Sequence, residues 1–134
     1  MTKNEIANQI NSSIEDITRQ IQTSYELDYS VNEIITTEKA ESWTDGGEFK
    51  VENPQEFTYI IRCTNECPVH VVDYDNEDET YELGAEGCEY EKEVLVSANT
   101  KFRVTYVAPA GDMNEIGFVT IEVEYVGAGE NESN

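Results

Sequence analysis

Apolar residues recur through the first part of the chain with a period near 3.5. Ala7, Ile10, Ile14, Ile17 and Ile21 stand three, four, three and four positions apart, a heptad rhythm with apolar residues at both a and d. Thr2 and Glu5 precede it in the spacing of a capping box, in which a hydroxyl and a carboxylate satisfy each other's orphan backbone N–H groups. The pattern predicts a helix from Lys3 that fills residues 1–23 and carries one narrow apolar stripe.

Beyond residue 23 the period falls to two. Tyr25, Leu27, Tyr29 and Val31 alternate with Glu26, Asp28 and Ser30, which predicts a strand after the helix. Short alternating runs then follow, separated by turn chemistry at Asp45-Gly46-Gly47, Asn53-Pro54, Asn65 to Pro68, Asp75 to Asp78, Gly84 to Gly87, Ala98-Asn99 and Pro109 to Asp112. The strongest strand signals are Phe57 to Cys63, Val69 to Tyr74, Glu91 to Ser97, Lys101 to Val107 and Ile116 to Val126. In the last of these Val119, Ile121, Val123 and Tyr125 share a face, with Thr120, Glu122 and Glu124 opposite. The expected fold is mainly β: an N-terminal α-helix over 1–23, an antiparallel β-sandwich of jelly-roll or immunoglobulin-like type over 24–127, and a polar tail over 128–134.

Composition adds constraints on function. The 134 residues fit one domain, and 38% hydrophobic residues suffice for one core. With 29 acids against 8 bases the net charge is -21, which repels phosphate backbones and argues against ordinary nucleic-acid binding. No apolar run approaches the roughly 18 residues of a membrane span, and Met1 to Ile10 lacks the basic and apolar regions of a signal peptide. A soluble chain is expected. The charge is uneven: residues 65 to 93 hold 11 acids and a single base, Lys92.

Three readings fit this acidity. It is a solvated face, an adaptation to high salt, where the Debye length shrinks to about 3 Å at 1 M, or a mimic of a nucleic-acid backbone. The mimic surface would be Asp73, Asp75, Glu77, Asp78, Glu79 and Glu82. The same run, from Asp73 to Glu79, alternates carboxylates that suit a hard cation, but it lacks the Gly and Glu positions of an EF-hand loop. A solvated hairpin turn explains it as well.

Ligand-type side chains gather at Cys63, Cys67, His70 and Cys88. Three thiolates and an imidazole would complete a tetrahedral zinc site. Packed reduced thiols, or a Cys63–Cys67 disulfide across the turn Thr64-Asn65-Glu66, fit the same residues. No catalytic residue is assigned, since His70 is the one histidine and neither a nucleophile elbow nor a Gly-rich phosphate loop occurs. Trp43 and the tyrosines suit a core at least as well as a sugar platform.

The stripe Ala7, Ile10, Ile14, Ile17 and Ile21 is the expected oligomer or docking interface. Isoleucine at a and d shifts coiled coils from dimers toward trimers, and a pentamer is also compatible. The run Glu91-Lys-Glu-Val-Leu-Val-Ser-Ala-Asn-Thr-Lys-Phe-Arg-Val-Thr-Tyr-Val-Ala-Pro, with Gly117-Phe-Val-Thr-Ile-Glu-Val-Glu-Tyr-Val, resembles the ending of small β-sandwich modules on virus particles. With the acidity, it resembles capsid-associated proteins of viruses infecting halophilic archaea. That resemblance implies a non-enzymatic structural protein on the virion surface, assembled in the host cytoplasm as a multi-copy decoration, turret or fibre component. Its partners would be itself and a capsid protein, with no cofactor, nucleic acid or membrane insertion. The alternative is an acidic inhibitor that occupies the basic channel of a host nuclease or restriction enzyme.

Overall fold

The expected long helix ends after five residues. In the computed structural model, which describes residues 1–46, 57–85, 87 and 92–128, helix α1 spans Lys3–Ala7 and Asn8 is its C-cap. Its capping box is formed, with Thr2 N–H donating to Glu5 Oε1 at 3.0 Å and Glu5 N–H donating to Thr2 Oγ1 at 3.2 Å. Hydrogen bonding of the Glu5 carboxylate to the Thr2 backbone N–H, and to the Thr2 side chain, holds that carboxyl below its ordinary range.

Two strands replace the rest of the helix, β1 (Ser12–Ile14) and β2 (Ile17–Thr23). Between them Asp16 sits in the left-handed region at φ 62°, so the chain turns and the step of three from Ile14 to Ile17 spans a corner. Ile17 and Ile21, four apart, share a face of a strand as readily as a face of a helix. Isoleucine favours the pleated form, and β2 is paired on both edges. The apolar stripe is consequently not an assembly surface: Ala7 and Ile17 are buried in the protein's own cores, Ile14 and Ile21 pack against one, and Ile10 is 51% exposed.

Downstream come β3 (Ile34–Thr36), β4 (Glu41–Asp45), β5 (Phe57–Cys63), β6 (Cys67–Val71), helix α2 (Glu77–Leu83), β7 (Glu93–Val96), β8 (Thr100–Val107), helix α3 (Asp112–Glu115) and β9 (Val119–Ala128). The expected strand over Tyr25 to Val31 is instead a connection that drops Leu27 and Tyr29 onto the main core. Leu27 N–H donates to the Tyr59 hydroxyl at 2.7 Å there. Residues 129–134 of the expected tail lie outside the described residues.

The mainly β class holds, and a helix does lead the chain, over Lys3–Ala7 rather than 1–23. The strands follow one continuous ladder, β1-β6-β7-β4-β2-β5-β9-β8-β3, and β5 and β9 run parallel while the other pairs are antiparallel. The finer jelly-roll or immunoglobulin-like order is not what this ladder describes. Strands β4 and β8 stand four steps apart in it, which in a flat sheet would separate them by roughly 19 Å. Yet Trp43 on β4 and Phe102 on β8 have ring centroids 5.3 Å apart. The sheet therefore curls over on itself, and the enclosed face holds Ile17, Trp43, Tyr59, Ile61, Val104, Ile121 and Val123.

A second, smaller core lies under the helices, where Ile6, Ala7, Ala40, Val72, Ala85 and Leu95 pack together. The expected alternation in β9 is present. Val119, Ile121 and Val123 are buried, while Glu122 and Glu124 reach across the other face to Arg62 and Arg103.

Strand and heptad predict different costs for two truncations. Ile17→Ala should lower unfolding free energy by about 2–4 kcal/mol, and Ile10→Ala by less than about 0.5 kcal/mol, in urea titrations of each variant. Equal losses would restore the heptad.

Candidate functional site

Strands β2 and β4 share only two register pairs, Ile17↔Asp45 and Thr18↔Thr44. Past them the chain opens a groove of about 990 Å³ between Arg19 and Gln20 on one side and Glu41 and Ser42 on the other. Its remaining walls come from Lys3 on α1, Lys39 and Ala40 ahead of β4, the C-terminal end of α2, and Lys92 and Glu93 at the start of β7.

A chain of hydrogen bonds crosses the floor. Lys3 Nζ donates to Ser42 Oγ at 2.8 Å, and Ser42 Oγ donates to Glu93 Oε2 at 2.6 Å. The carboxylate is thus oriented by a hydroxyl that is itself held by an ammonium, a charge-assisted arrangement. On the other face of β4, the face of Trp43, Arg19 Nη1 lies 3.4 Å from Glu41 Oε1, which also accepts from the Trp43 indole at 3.2 Å. Tyr29 feels the same carboxylate: burial first, then Glu33 and Glu41, push its phenol up.

Backbone geometry sets these groups in place. Lys92 is left-handed at φ 49°, an uncommon conformation for a lysine, and Asp45 N–H donates to its carbonyl at 3.0 Å. Glu93 N–H donates to the Tyr74 hydroxyl at 2.9 Å. On the far wall Ala40 N–H donates to Asn4 Oδ1 at 2.8 Å, tying α1 to β4 next to Ser42.

The groove draws in half of the protein's basic residues. Of 8 Lys and Arg in a chain of net charge -21, Lys3, Arg19, Lys39 and Lys92 line it, and they meet the acids Glu41, Asp45 and Glu93. Such clustering runs against the overall charge, and a local potential is set by the nearest charges once distant ones are screened.

None of these residues was singled out from the sequence, yet signals existed. Lys92 is the lone base among the acids of residues 65–93. Arg19 interrupts the alternation Ile17-x-Arg19-x-Ile21, which is visible only when that segment is understood as a strand. With a helical period it falls on the polar side.

The residues that were singled out lie elsewhere. Cys63 and Cys67 are fully buried, and His70 is 4% exposed. Both His70 nitrogens face oxygens: Gln9 carbonyl at 2.8 Å from Nδ1 and Glu79 Oε2 at 2.9 Å from Nε2. That leaves no lone pair aimed at a metal, and among the described residues no group of three or more His, Cys, Asp or Glu is placed to hold one. Cys88 lies outside the described residues.

The acidic run is not a hairpin turn. Residues Glu77–Leu83 form α2, capped at Asn76, whose side chain accepts Glu79 N–H at 3.1 Å, with Glu77, Asp78 and Glu79 in the first turn where the helix dipole favours them. Glu79 is 8% exposed and bonded to His70 and to Asp73 N–H, so it leaves the supposed mimic surface. Asp73, Asp75, Glu77, Asp78 and Glu82 remain exposed. Trp43 belongs to the core through its ring contact with Phe102.

No family model matches the sequence, and no curated protein matches it. Solved structures do. The chain is similar in fold to the Vis toxin, an ADP-ribosyltransferase from Vibrio splendidus, with TM-score 0.57 and 16% identity over 90% of this chain and 52% of that one. The same enzyme in complex with agmatine matches with TM-score 0.55 over 87% of this chain and 51% of that one. The type III effector XopAI from Xanthomonas axonopodis pv. citri matches with TM-score 0.50 and 14% identity, over 86% of this chain and 45% of that one. At such identity the likeness is one of fold, and the chain spans about half the length of the toxin.

These findings correct the functional expectation. The fold is shared with an ADP-ribosyltransferase toxin and a bacterial effector, so neither the non-enzymatic virion component nor the acidic nuclease inhibitor stands.

His70→Ala should strand the buried Glu79 carboxylate and cost about 3–5 kcal/mol. Urea unfolding checks it, and a loss below about 1 kcal/mol would mean that the pair does not anchor α2.

Proposed function

We propose that the chain is an ADP-ribosyltransferase domain whose reaction takes place in the groove between β2 and β4. The carrying observation is that, in so acidic a protein, Lys3, Arg19, Lys39 and Lys92 line one groove together with a Ser42-bound Glu93. An ADP-ribosyl group brings a diphosphate, which suits the cations, and a ribose whose anomeric carbon gains positive charge as its leaving group departs. Arg19 is best suited to the diphosphate, since its planar guanidinium matches phosphate oxygens in pairs. Taking up that role requires it to exchange Glu41 for the ligand.

Glu93 is the group for the ribose. A carboxylate held by Ser42 sets negative charge where positive charge develops, and it does so without reorganising at the moment of reaction. In the transfer, the bond from the anomeric carbon to the leaving group breaks with its electron pair going to the leaving group. A nucleophile of the acceptor then bonds that carbon and gives up a proton. Ser42 and Lys3 act as positioning residues through Glu93.

Binding and chemistry should separate. With NAD as the donor, in which nicotinamide is the leaving group, Arg19→Ala should weaken calorimetric binding by about 10–100-fold. Glu93→Gln should leave binding within about threefold and slow nicotinamide release, with agmatine offered as acceptor, by about 10²–10³-fold. Failure of the unaltered protein to bind NAD or ADP-ribose at low salt would overturn the proposal.

A further inference from the structure

A second cleft, of about 410 Å³, shares no wall residue with the groove between β2 and β4. Its volume is of the size that holds a small molecule. The floor is three strands in register: Tyr59 on β5 pairs with Val119 on β9, and Ile121 on β9 with Val107 on β8. Just past that pair Ala108 N–H donates to the Thr120 carbonyl at 2.9 Å. A floor held by ladders in this way is organised before any ligand arrives.

The roof is the stretch from Glu26 to Tyr29, between β2 and β3. Leu27 and Tyr29 pack onto the main core, while Glu26 and Asp28 between and beside them are exposed and form the rim. Leu27 N–H, donating to the Tyr59 hydroxyl at 2.7 Å, ties the roof to the floor.

The polar groups of this cleft are unspent. Tyr59 is 3% exposed, and a hydroxyl can donate once and accept twice. Among the described residues it makes the one bond to Leu27, which leaves its proton and a second lone pair unused. Glu26 and Asp28 enter no ion pair and no side-chain hydrogen bond among the described residues, whereas Asp16, Glu41, Glu122 and Glu124 are each paired with an arginine. Both charged residues of the walls are acids, and the others are apolar or aromatic, with Phe57, Val107, Val119 and Ile121 among them.

We infer that this cleft binds a small organic ammonium with an apolar body. The body lies on Phe57, Val107, Val119 and Ile121, where its removal from water supplies the driving force. The ammonium stands at the rim against Glu26 and Asp28, with the Tyr59 oxygen as a further acceptor. A carboxylate-bearing ligand meets like charge there, and a neutral one leaves both carboxylates without a partner. The two sites thus differ in sign: bases from four segments line the groove, and the charged residues of the cleft are acids alone. Binding in the cleft is independent of any reaction in the groove.

The test is an amide NMR titration of the full chain at neutral pH and low salt with phenethylammonium, 2-phenylethanol and phenylacetate, three probes of similar shape that differ in charge. For a ligand this small the ammonium should bind with a dissociation constant on the order of 1–10 mM, with shifts confined to the amides of Leu27, Tyr29, Tyr59, Ala108 and Val119. The alcohol should bind about 3–10-fold more weakly, because two partly solvated carboxylates each contribute modestly, and phenylacetate more weakly still. A variant carrying Glu26→Gln and Asp28→Asn should bind the ammonium only as well as the alcohol and keep its affinity for the alcohol. Equal binding of ammonium and alcohol by the unaltered chain, or an ammonium affinity unchanged in the double variant, would overturn the assignment of a cation. No saturable shift at these amides up to about 50 mM, or shifts spread over the whole surface, would overturn the site itself.

Discussion

The structure depends on the closure of one sheet over its own apolar face. Trp43 on β4 and Phe102 on β8 meet at 5.3 Å although three strands lie between theirs in the ladder, and Tyr125 packs edge-on against Phe102 on the far side. A flat sheet of nine strands would leave this face in water, where each large side chain forgoes about 1.5–3 kcal/mol of burial. Curling is thus the way a chain this small makes a core from strands alone. It has a geometric consequence as well, since a sheet that bends sharply cannot keep every neighbour in register. The β2–β4 seam parts after two pairs, and the groove is what that parting leaves.

Charge in this protein is organised locally. Among the described residues most acids are exposed, and some are tied down in pairs: Arg62 bridges Asp16 at 2.7 Å and Glu122 at 3.3 Å, and Arg103 pairs with Glu124. Asp16 raises the Arg62 guanidinium pKa further by hydrogen bond and by charge. Such exposed pairs contribute little to stability. The groove has the opposite character, lined by lysines from three separate segments and by Arg19 from a fourth. A net charge of -21 would predict repulsion of any nucleotide, but a nucleotide in the groove meets its nearest charges first.

The helices serve the sheet and, through it, the groove. Helix α1 delivers Lys3 to Ser42 and anchors Ala40 through Asn4. Helix α2 is held down by His70 and Glu79 and ends at Gly84, left-handed at φ 65°, a conformation that glycine adopts without strain. Leu83, Gly84 and Ala85 then reach the groove wall. The histidine that sequence spacing offers as a metal ligand is in the fold the clasp of a wall.

Local chemistry in the sequence determined a good deal. Alternation alone placed Phe57–Cys63, most of β7, β8 and β9, and the inward face of Val119, Ile121 and Val123. Short-range hydrogen bonding placed the capping box at Thr2 and Glu5. These features involve neighbours within a few residues, so their physics is written in the sequence itself. What only the tertiary structure decided involves partners far apart. Ile17 and Ile21 satisfy a helical and a pleated period at once, and the choice fell to strands β4 and β5, which bond β2 on both edges, with Asp16 turning the chain between β1 and β2. Likewise Ser42 and Glu93 lie 51 residues apart, and Lys3 and Ser42 lie 39 apart. A site assembled across such distances leaves no spacing to recognise, because what unites its residues is the curl of the sheet that brings them to one seam.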